Sequence, residues 1–289
     1  MVFLNGRLVG LEDAKISVLD RGFIFGDGVY EVVPVYSRVP FRLDEHLARL
    51  ERSLETVQMR NPYGRAEWRR IIAELIAQQP FEDQGVYLQV TRGVAKRDHA
   101  FPKDVAPTVF MMATPLVNPP RELVENGAAA VSAVDYRWLR CDIKSISLIG
   151  NVLLRQLSAQ VDAAETILFR DGRLTEASAS NVFIVNRGVI AAPPKSSLIL
   201  PGITYDVVVE LAQTGGLPLE LRDVTEAEVR GADELWVTSS SKEVLAIVRL
   251  DGAPIGDGRP GPVFRRMYRL YQEFKQKVMR SGARESAAV

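Results

Sequence analysis

The segment Pro115–Pro120 contains three prolines and an asparagine, which makes it the best candidate for a boundary between two domains. A chain of 289 residues is also longer than one hydrophobic core usually serves. We therefore predict an α/β protein with two α+β domains. The predicted parts are a small N-terminal α/β domain (1–114), a linker (115–121), a larger C-terminal domain (122–280) and a flexible tail (281–289).

The charge balance narrows the classes of partner. The 36 Lys and Arg residues are matched by 36 Asp and Glu residues, so the formal net charge is zero. Binding to nucleic acid or to an anionic membrane favours a basic excess on the protein surface. The sequence therefore predicts neither nucleic acid nor membrane as a partner.

Targeting signals and cysteine content bear on location. The N-terminus, MVFLNGRLVG, lacks the basic start and long apolar run of a secretory signal. No stretch approaches the roughly 18 uninterrupted apolar residues of a membrane span. The single cysteine, Cys141, excludes an internal disulfide and suits a reducing compartment. We expect a cytoplasmic protein.

Several kinds of chemistry lack the residues they need. One cysteine and two histidines cannot form a structural Cys/His zinc site, so no metal is predicted. His46 and His99 have no Gly-x-Ser-x-Gly segment or catalytic cysteine around them, which argues against an acyl-transfer hydrolase. Neither GxxxxGK[ST] nor a GxGxxG after a strand is present, so a nucleotide cofactor is not indicated.

The helix that follows the predicted strand Val29–Tyr36 bears on the position of Arg49. Its apolar residues share one stripe, and Arg49 lies well off that face. The stripe consists of Leu47, Leu50, Leu54 and Val57. Periodicity alone therefore predicts that Arg49 is a surface residue.

Lysine is scarce in this chain, and Lys144 has apolar neighbours, Ile143 and Ile146. Removing a lysine from water lowers the pKa of its amine, as a nucleophilic amine requires. The alternative is a lysine whose stem is buried while its ammonium group reaches solvent. The local pattern leaves both interpretations open.

Three polar segments of the C-terminal half could bind an anion or a ring nitrogen. Glu176 opens the small-residue run Glu176–Asn181 after a predicted strand, where the alternative is an ordinary turn. The step Gly202-Ile203-Thr204 opens a predicted helix, whose unpaired N–H groups and dipole favour phosphate. The run Thr238–Ser241 offers hydroxyl donors or is simply a polar loop.

Arg97 and His99 lie two residues apart in the polar loop between two predicted strands. In extended chain this spacing places both side chains on one side, where together they could bind a carboxylate. Most basic pairs in loops are merely solvated, so the spacing leaves the question open.

Seven segments, in order along nearly the whole chain, resemble the fold-type IV enzymes that depend on pyridoxal 5'-phosphate. Within that fold type, the resemblance is to the D-amino-acid aminotransferase family. The segments are DRGFIFGDGVYEVVPVY (20–36), EHLARL (45–50), VYLQVTRGVAKRDHAFP (86–102), YRWLRCDIKSISLIGNVL (136–153), LTEASASNVF (174–183), LPGITYDVVV (200–209) and ELWVTSSSKE (234–243).

The resemblance implies a role for each residue that matches a family motif. Lys144 would hold the cofactor as a Schiff base and move the α-proton, and Glu176 would pair with the pyridinium nitrogen. The cofactor phosphate would be bound by Arg49, the N–H groups of Ile203 and Thr204, and Ser240. The resemblance thus contradicts the surface position that periodicity predicts for Arg49.

The same resemblance implies the substrates and the assembly. Arg97 and His99, with Tyr30, match the clamp by which D-amino-acid enzymes bind the substrate α-carboxylate. In that family the clamp loop reaches the site of the partner subunit, so a homodimer is expected. The implied reaction is transamination between a D-amino acid such as D-alanine and a 2-oxo acid, 2-oxoglutarate or pyruvate.

The sequence departs from the family pattern at three positions, and functions other than D-amino-acid transamination stay open. Ala177 and Ala179 stand where relatives often carry Gly and Ser, and Ser240 stands where Thr is common. A branched-chain L-amino-acid aminotransferase or an aminodeoxychorismate lyase would share the fold and the cofactor. A non-catalytic protein that binds pyridoxal phosphate is a further alternative, against which the intact Lys144 and Glu176 argue.

Overall fold

The computed structural model describes residues 1–281, which divide into two compact units. Within the described residues, the first unit comprises Met1–Val117, Ile143–Leu148 and residues 278–281, and the second comprises Asn118–Asp142 and Ile149–Lys277. Residues 143–148, which the sequence places in the C-terminal domain, thus pack within the first unit. From residue 282 onward, the tail predicted to be flexible lies outside the described residues.

The first unit contains six strands and three α-helices within the described residues. In chain order they are β1 (Val2–Leu4), β2 (Arg7–Val9), α1 (Arg21–Phe25), β3 (Gly28–Tyr36), β4 (Val39–Pro40), α2 (Leu43–Thr56), α3 (Arg65–Ala77), β5 (Gln84–Thr91) and β6 (Thr108–Pro115).

These strands form one antiparallel sheet in the order β2-β1-β6-β5-β3-β4. β1 and β2 are joined at Asn5 and Gly6, whose φ angles of 47° and 91° suit a two-residue hairpin turn. Alternate residues of β3, β5 and β6 pack with α2 and α3 in one apolar core, because side chains on a strand alternate between its faces. Core residues include Val33, Val35, Leu47, Leu50, Leu54, Trp68, Ile72, Leu75, Val86, Leu88 and Met111.

The second unit contains nine strands and five α-helices within the part of the chain that the structure describes. In chain order they are α4 (Arg121–Asn126), β7 (Ala128–Val134), α5 (Ile149–Ala159), β8 (Glu165–Arg170), β9 (Arg173–Ala177), β10 (Asn181–Asn186), β11 (Val189–Ala192), α6 (Ile203–Thr214), β12 (Leu219–Leu221), α7 (Glu226–Arg230), β13 (Glu234–Ser239), β14 (Glu243–Leu250), β15 (Ala253–Pro254) and α8 (Pro262–Phe274). A π-helical turn, Lys275–Met279, follows α8.

The sheet of the second unit is mixed. Its order is β12-β11-β10-β13-β14-β7-β8-β9, with β15 paired to β14. The pairs β11/β12, β14/β7 and β7/β8 are parallel, and the other pairs are antiparallel. The strands β9, β10 and β13 contribute buried apolar side chains to the core of this unit. The end of β9, the start of β10 and the turn after β13 are therefore attached to strands that the core holds in place. No helix among residues 1–281 has both the length and the apolar character needed to cross a membrane.

Candidate functional site

The residues predicted to bind cofactor and substrate are divided between the two units. Tyr30, Arg49, Arg97, His99 and Lys144 belong to the first unit, and Glu176, Ile203, Thr204 and Ser240 belong to the second.

Lys144 is half-buried in a segment that runs beside the first residues of β3. The backbone N–H of Tyr30 donates to the carbonyl of Lys144 at 2.9 Å, and the N–H of Ile146 donates to the carbonyl of Gly28 at 3.0 Å. Gly28 permits this approach, because a Cβ there would lie 2.8 Å from Cδ1 of Ile146. The Nζ of Lys144 lies 4.3 Å from the centroid of the Tyr30 ring. Main-chain pairing thus holds the amine over an aromatic face.

Arg49 is buried, and the prediction from periodicity that it lies on the surface is wrong. Its side chain is 5% exposed, and it donates through Nε and Nη2 to Glu31 at 2.7 and 2.8 Å. Glu31 comes from β3 and is 1% exposed, so α2 buries a charged residue beside its apolar stripe. A bidentate contact of this kind fixes the orientation of the guanidinium group.

His46 completes a buried cluster with Glu31 and Arg49. Its Nδ1 lies 2.8 Å from Oε2 of Glu31. Burial would raise the pKa of the Glu31 carboxyl, but Arg49 outweighs it and holds this pKa well below its usual range. Burial lowers the pKa of His46, so a neutral imidazole donates through Nδ1. Its Nε2 is buried and accepts no hydrogen bond from the described residues.

Arg97 and His99 are exposed residues of the loop between β5 and β6. The guanidinium carbon of Arg97 lies 5.4 Å from the centroid of the Phe25 ring. The ring of His99 lies 5.4 Å from the same Phe25 ring, at an interplanar angle of 39°. The structure therefore brings both predicted clamp residues against one aromatic side chain.

Glu176 is the penultimate residue of β9 and is 5% exposed. Its Oε1 accepts from Arg137 at 2.6 Å, and its Oε2 accepts from the side chain of Asn181 at 3.2 Å and the N–H of Leu200 at 3.0 Å. Burial raises the pKa of Glu176 to about 7, although Arg137 acts in the opposite direction. A carboxylate has about four acceptor positions. Three donors leave one for a further N–H, and the residues here therefore fit a protonated ring nitrogen.

Arg137 is shared between two carboxylates. It donates to Asp135 through Nε and Nη2, both at 2.9 Å, as well as to Glu176 through Nη1. Asp135 also accepts from Thr175 at 2.8 Å. The sequence analysis missed Asp135 and Arg137, because exposed aromatic residues surround them in the chain and no apolar periodicity marks them.

The first turn of α6 carries the main-chain donors predicted for the phosphate. Its N-cap, Gly202, supplies no side-chain cap, so the turn lacks the usual internal acceptor for its N–H groups. A Cβ at Gly202 would meet Oδ1 of Asn181 at 2.1 Å. Ile203 and Thr204 are each 8% exposed. An uncapped helix start with positive dipole fits a phosphate group.

Ser240 lies in the turn between β13 and β14 and is half-buried. The neighbouring hydroxyl of Thr238 is buried and has no hydrogen-bond partner among the described residues. Thr238 pairs in the sheet with Asn181, the residue that also contacts Glu176. Hydroxyl donors of this kind suit a phosphate, and nothing in the apolar pattern of β13 distinguishes Thr238.

Comparisons with known proteins show the family and the fold of the chain. The sequence model of class IV amino-transferases matches residues 28–250. A D-alanine aminotransferase of Bacillus licheniformis is 42% identical over 262 residues, 91% of this chain and 92% of that protein. One from Listeria monocytogenes serotype 1/2a (strain 10403S) is 39% identical over 283 residues, 97% of this chain and 96% of that protein. Among solved structures, the T.th. branched-chain amino acid aminotransferase with pyridoxamine 5'-phosphate superposes with a TM-score of 0.90, at 26% identity over 97% of this chain and 96% of that chain.

Proposed function

The chain belongs to the class IV aminotransferases, and from that premise we propose that it transfers amino groups from D-amino acids, such as D-alanine, to 2-oxoglutarate or pyruvate. The predictions of a fold-type IV structure and of pyridoxal 5'-phosphate as the cofactor are confirmed by the family match and by the solved structure with its bound cofactor form. Amino acids and 2-oxo acids are the substrates of an aminotransferase.

The preference for D-amino acids is supported by the loop of Arg97 and His99. Both side chains approach the Phe25 ring, which places the two proposed ligands of the substrate carboxylate beside the same aromatic side chain. Two cationic or polar donors held against one ring are suited to bind both oxygens of a carboxylate. Two relatives about 40% identical over nearly their whole length are D-alanine aminotransferases.

The chain's own residues have separate tasks in this proposal. Pyridoxal phosphate, when bound, supplies an electron sink for the charge left at the substrate Cα. The amine of Lys144 would hold the cofactor covalently and, once the substrate amine has displaced it, would carry the proton of the substrate Cα. The carboxylate of Glu176 would accept a hydrogen bond from the ring nitrogen and would keep that nitrogen protonated.

Anion binding is assigned to groups that the structure already orients. Arg49, the N–H groups of Ile203 and Thr204, and the hydroxyl of Ser240 bind the cofactor phosphate. Glu31 fixes the guanidinium of Arg49, so that group does not need to be ordered when the phosphate binds. The substrate carboxylate is bound by Arg97 and His99 together with the hydroxyl of Tyr30.

We propose a homodimer, in which the clamp loop of one subunit serves the site of its partner. Support comes from α5, whose apolar side chains are exposed in a single chain. Exposed fractions are 71% for Ile149, 58% for Val152, 52% for Leu153 and 42% for Leu157. An apolar helix face of this kind marks an interaction surface. Light scattering after size exclusion should give the mass of two chains, and Leu153→Glu should shift the protein towards one chain. A wild-type mass of one chain would contradict the dimer.

A cytoplasmic location is proposed from the cysteine chemistry. Cys141 is the single cysteine of the chain, and burial raises the pKa of its thiol to about 11. A buried thiol that stays protonated suits a reducing compartment.

A branched-chain L-amino-acid aminotransferase is the alternative, because the solved structure with the TM-score of 0.90 has that activity in its name. The visible spectrum of the purified holoenzyme decides between them. D-alanine and L-leucine are added in separate cuvettes, and the absorption band of the bound cofactor is followed. The proposal expects D-alanine to bleach the band and L-leucine to change it little. Bleaching by L-leucine alone would contradict the D-amino-acid assignment and favour the alternative.

A further inference from the structure

We propose that Arg21 and Phe25, both from α1, are positioning residues that hold the clamp loop, Lys96–Phe101, in the conformation that binds the substrate carboxylate. This inference rests on the proposed function, because it concerns how Arg97 and His99 are oriented. Nothing in the apolar pattern of the sequence distinguishes the two residues, and the argument comes from the contacts of the first unit alone.

The guanidinium group of Arg21 lies beneath the backbone of the clamp loop. Its side chain is 4% exposed. It donates through Nη1 to the carbonyls of Asp98 at 2.5 Å and Ala100 at 3.4 Å, and through Nη2 to the carbonyl of His99 at 3.4 Å. Three successive carbonyls directed at one planar group define the backbone conformation on both sides of His99.

Asp27 fixes the guanidinium of Arg21 from the other side. Its Oδ2 accepts from Nε of Arg21 at 2.7 Å and from Nε of Arg92 at 2.8 Å. Burial would raise the pKa of Asp27, but the hydrogen bonds from Arg92 and Arg21 outweigh it and hold this pKa below its usual value. Asp27 is therefore ionised at neutral pH, and the buried charge of Arg21 is compensated.

Phe25 provides the surface on which the clamp side chains rest. The guanidinium carbon of Arg21 lies over the Phe25 ring, 4.8 Å from the ring centroid. Arg97 and His99 both approach the same ring, each at 5.4 Å from its centroid. Stacking on an aromatic face is a favourable position for a guanidinium group. The two side chains assigned to the carboxylate therefore share one support.

Main-chain contacts tie α1 to the start of the loop. The N–H of Arg21 donates to the carbonyl of Gly93 at 2.9 Å, and the N–H of Ala95 donates to the carbonyl of Leu19 at 3.2 Å. Gly93 has a φ of 99°, and a Cβ there would lie 2.1 Å from the carbonyl oxygen of Ala106. The loop thus leaves the sheet in a direction that α1 sets.

This support matters because Arg97 and His99 are themselves exposed. An exposed arginine loses side-chain entropy when it binds a ligand, and a group that is already oriented loses less. Losing binding that the substrate and the transition state share raises KM and leaves kcat unchanged. The geometry assigns the orienting task to Arg21 and Phe25, neither of which needs to touch the substrate.

The test compares Arg21→Lys and Phe25→Leu with wild-type holoenzyme. Lysine keeps the charge beside Asp27 but cannot reach three carbonyls, and leucine keeps apolar volume but removes the aromatic face. Arg38→Lys is the matched control, because Arg38 also donates to two carbonyls and one carboxylate, those of Ile76, Gln79 and Glu82. Kinetic constants for D-alanine are measured at saturating 2-oxo acid, and amide hydrogen exchange is measured for peptides spanning residues 95–103.

We expect Arg21→Lys to raise KM for D-alanine roughly 10- to 100-fold while kcat and the cofactor spectrum stay close to wild type. Exchange should accelerate in the loop peptides, and Phe25→Leu should act in the same direction. Arg38→Lys should change neither quantity.

Three outcomes overturn the inference. Unchanged KM and exchange in both variants would refute it, and the proposed function would survive if Arg97→Gln still raises KM. A fall in kcat and cofactor affinity, with faster exchange throughout the first unit, would instead assign Arg21 a general structural role. If Arg97→Gln itself leaves KM unchanged, the clamp of the proposed function fails, and this inference fails with it.

Discussion

Glu31 in the first unit and Glu176 in the second are both buried and both accept from an arginine, yet their pKa values shift in opposite directions. Glu31 receives two N–H groups of Arg49 and the Nδ1 of His46. Glu176 receives one N–H of Arg137, whose other donors bind Asp135. Burial is similar at the two sites, so the surrounding charges decide the direction of each pKa shift. Glu31 faces Arg49, whereas Glu176 shares Arg137 with the carboxylate of Asp135, which raises the pKa of Glu176 further.

The opposite pKa shifts indicate different roles for the two carboxylates. Glu31 is a fixed anion whose charge is fully used in orienting Arg49. Glu176 lies in a site where its charge is only partly compensated, so a cationic partner would stabilise it further. A protonated ring nitrogen is such a partner. Perturbed carboxyl groups of this kind are frequent at functional sites.

Removing the charge of Glu31 should have the largest effect on stability. Glu31→Gln removes the carboxylate that accepts from the buried guanidinium of Arg49, and breaking such a pair costs about 3–5 kcal/mol. Urea denaturation of the cofactor-free protein measures the free energy of unfolding. Glu45→Gln is the control, because Glu45 is an exposed residue of α2, the helix that carries Arg49. This change should alter the free energy of unfolding little. A loss below about 1 kcal/mol for Glu31→Gln would show that Arg49 does not depend on this ion pair.

Glu176→Gln should instead act mainly on catalysis. The amide cannot keep the ring nitrogen protonated, and losing one electrostatic contact to a reacting group costs about 10²–10³ in kcat. The free energy of unfolding should change less than in Glu31→Gln, because the charge of Glu176 is costly to bury. Steady-state kinetics with D-alanine and urea denaturation give the two numbers. Near wild-type kcat would remove Glu176 from the proposed mechanism.

The pH dependence of stability should differ in sign between the two glutamates. The pKa of Glu176 is about 7 in the folded chain and 4.5 ordinarily, so between these values the folded state binds more protons. Its contribution to stability is therefore lost as pH rises from about 5 to 7, by at most about 1.4 kcal/mol per pH unit. The pKa of Glu31 is lowered, so its contribution is lost as pH falls below the ordinary value of 4.5. The difference in unfolding free energy between wild type and Glu176→Gln, followed against pH without cofactor, checks the first sign. An increase with pH would contradict it.

His46→Asn should have the smallest effect. The asparagine amide can replace the Nδ1 donor to Glu31, and the unpartnered Nε2 is removed. Because Arg49 alone neutralises Glu31, we expect a loss of about 1 kcal/mol, the size of one neutral hydrogen bond. Urea denaturation beside Glu31→Gln gives the comparison. Equal losses in the two variants would mean that His46 is charged in the folded protein.

Much of the fold could be predicted from local patterns. The start of α6 at Ile203 is present where the helix signal places it. The pair Asn5-Gly6, which is typical of a two-residue hairpin turn, joins β1 and β2. The position of residues 143–148 could not be predicted, because it depends on main-chain pairing between Lys144 and Tyr30, which are far apart in sequence. The composition around Pro115 gives no information that residues 143–148 pack within the first unit.

The candidate site shows the same limit. Periodicity considers only apolar side chains, so it predicts a surface position for Arg49. It carries no information that Glu31 on β3 provides a buried carboxylate as the partner of Arg49. Glu31 did leave a signal, as the single charge within the strand VYEVVPVY. Asp135, Arg137 and Arg21 left none, because each depends on partners that only the fold brings close.

The attachment of the cofactor to Lys144 is the central claim, and chemical trapping tests it most directly. Holoenzyme is reduced with borohydride, digested, and searched by mass spectrometry for a lysine that carries the reduced cofactor, with Lys144→Ala treated in parallel. We predict the label on the peptide containing Lys144 and none in the variant. A label on another lysine, such as the half-buried Lys242 beside Glu165, would contradict the account.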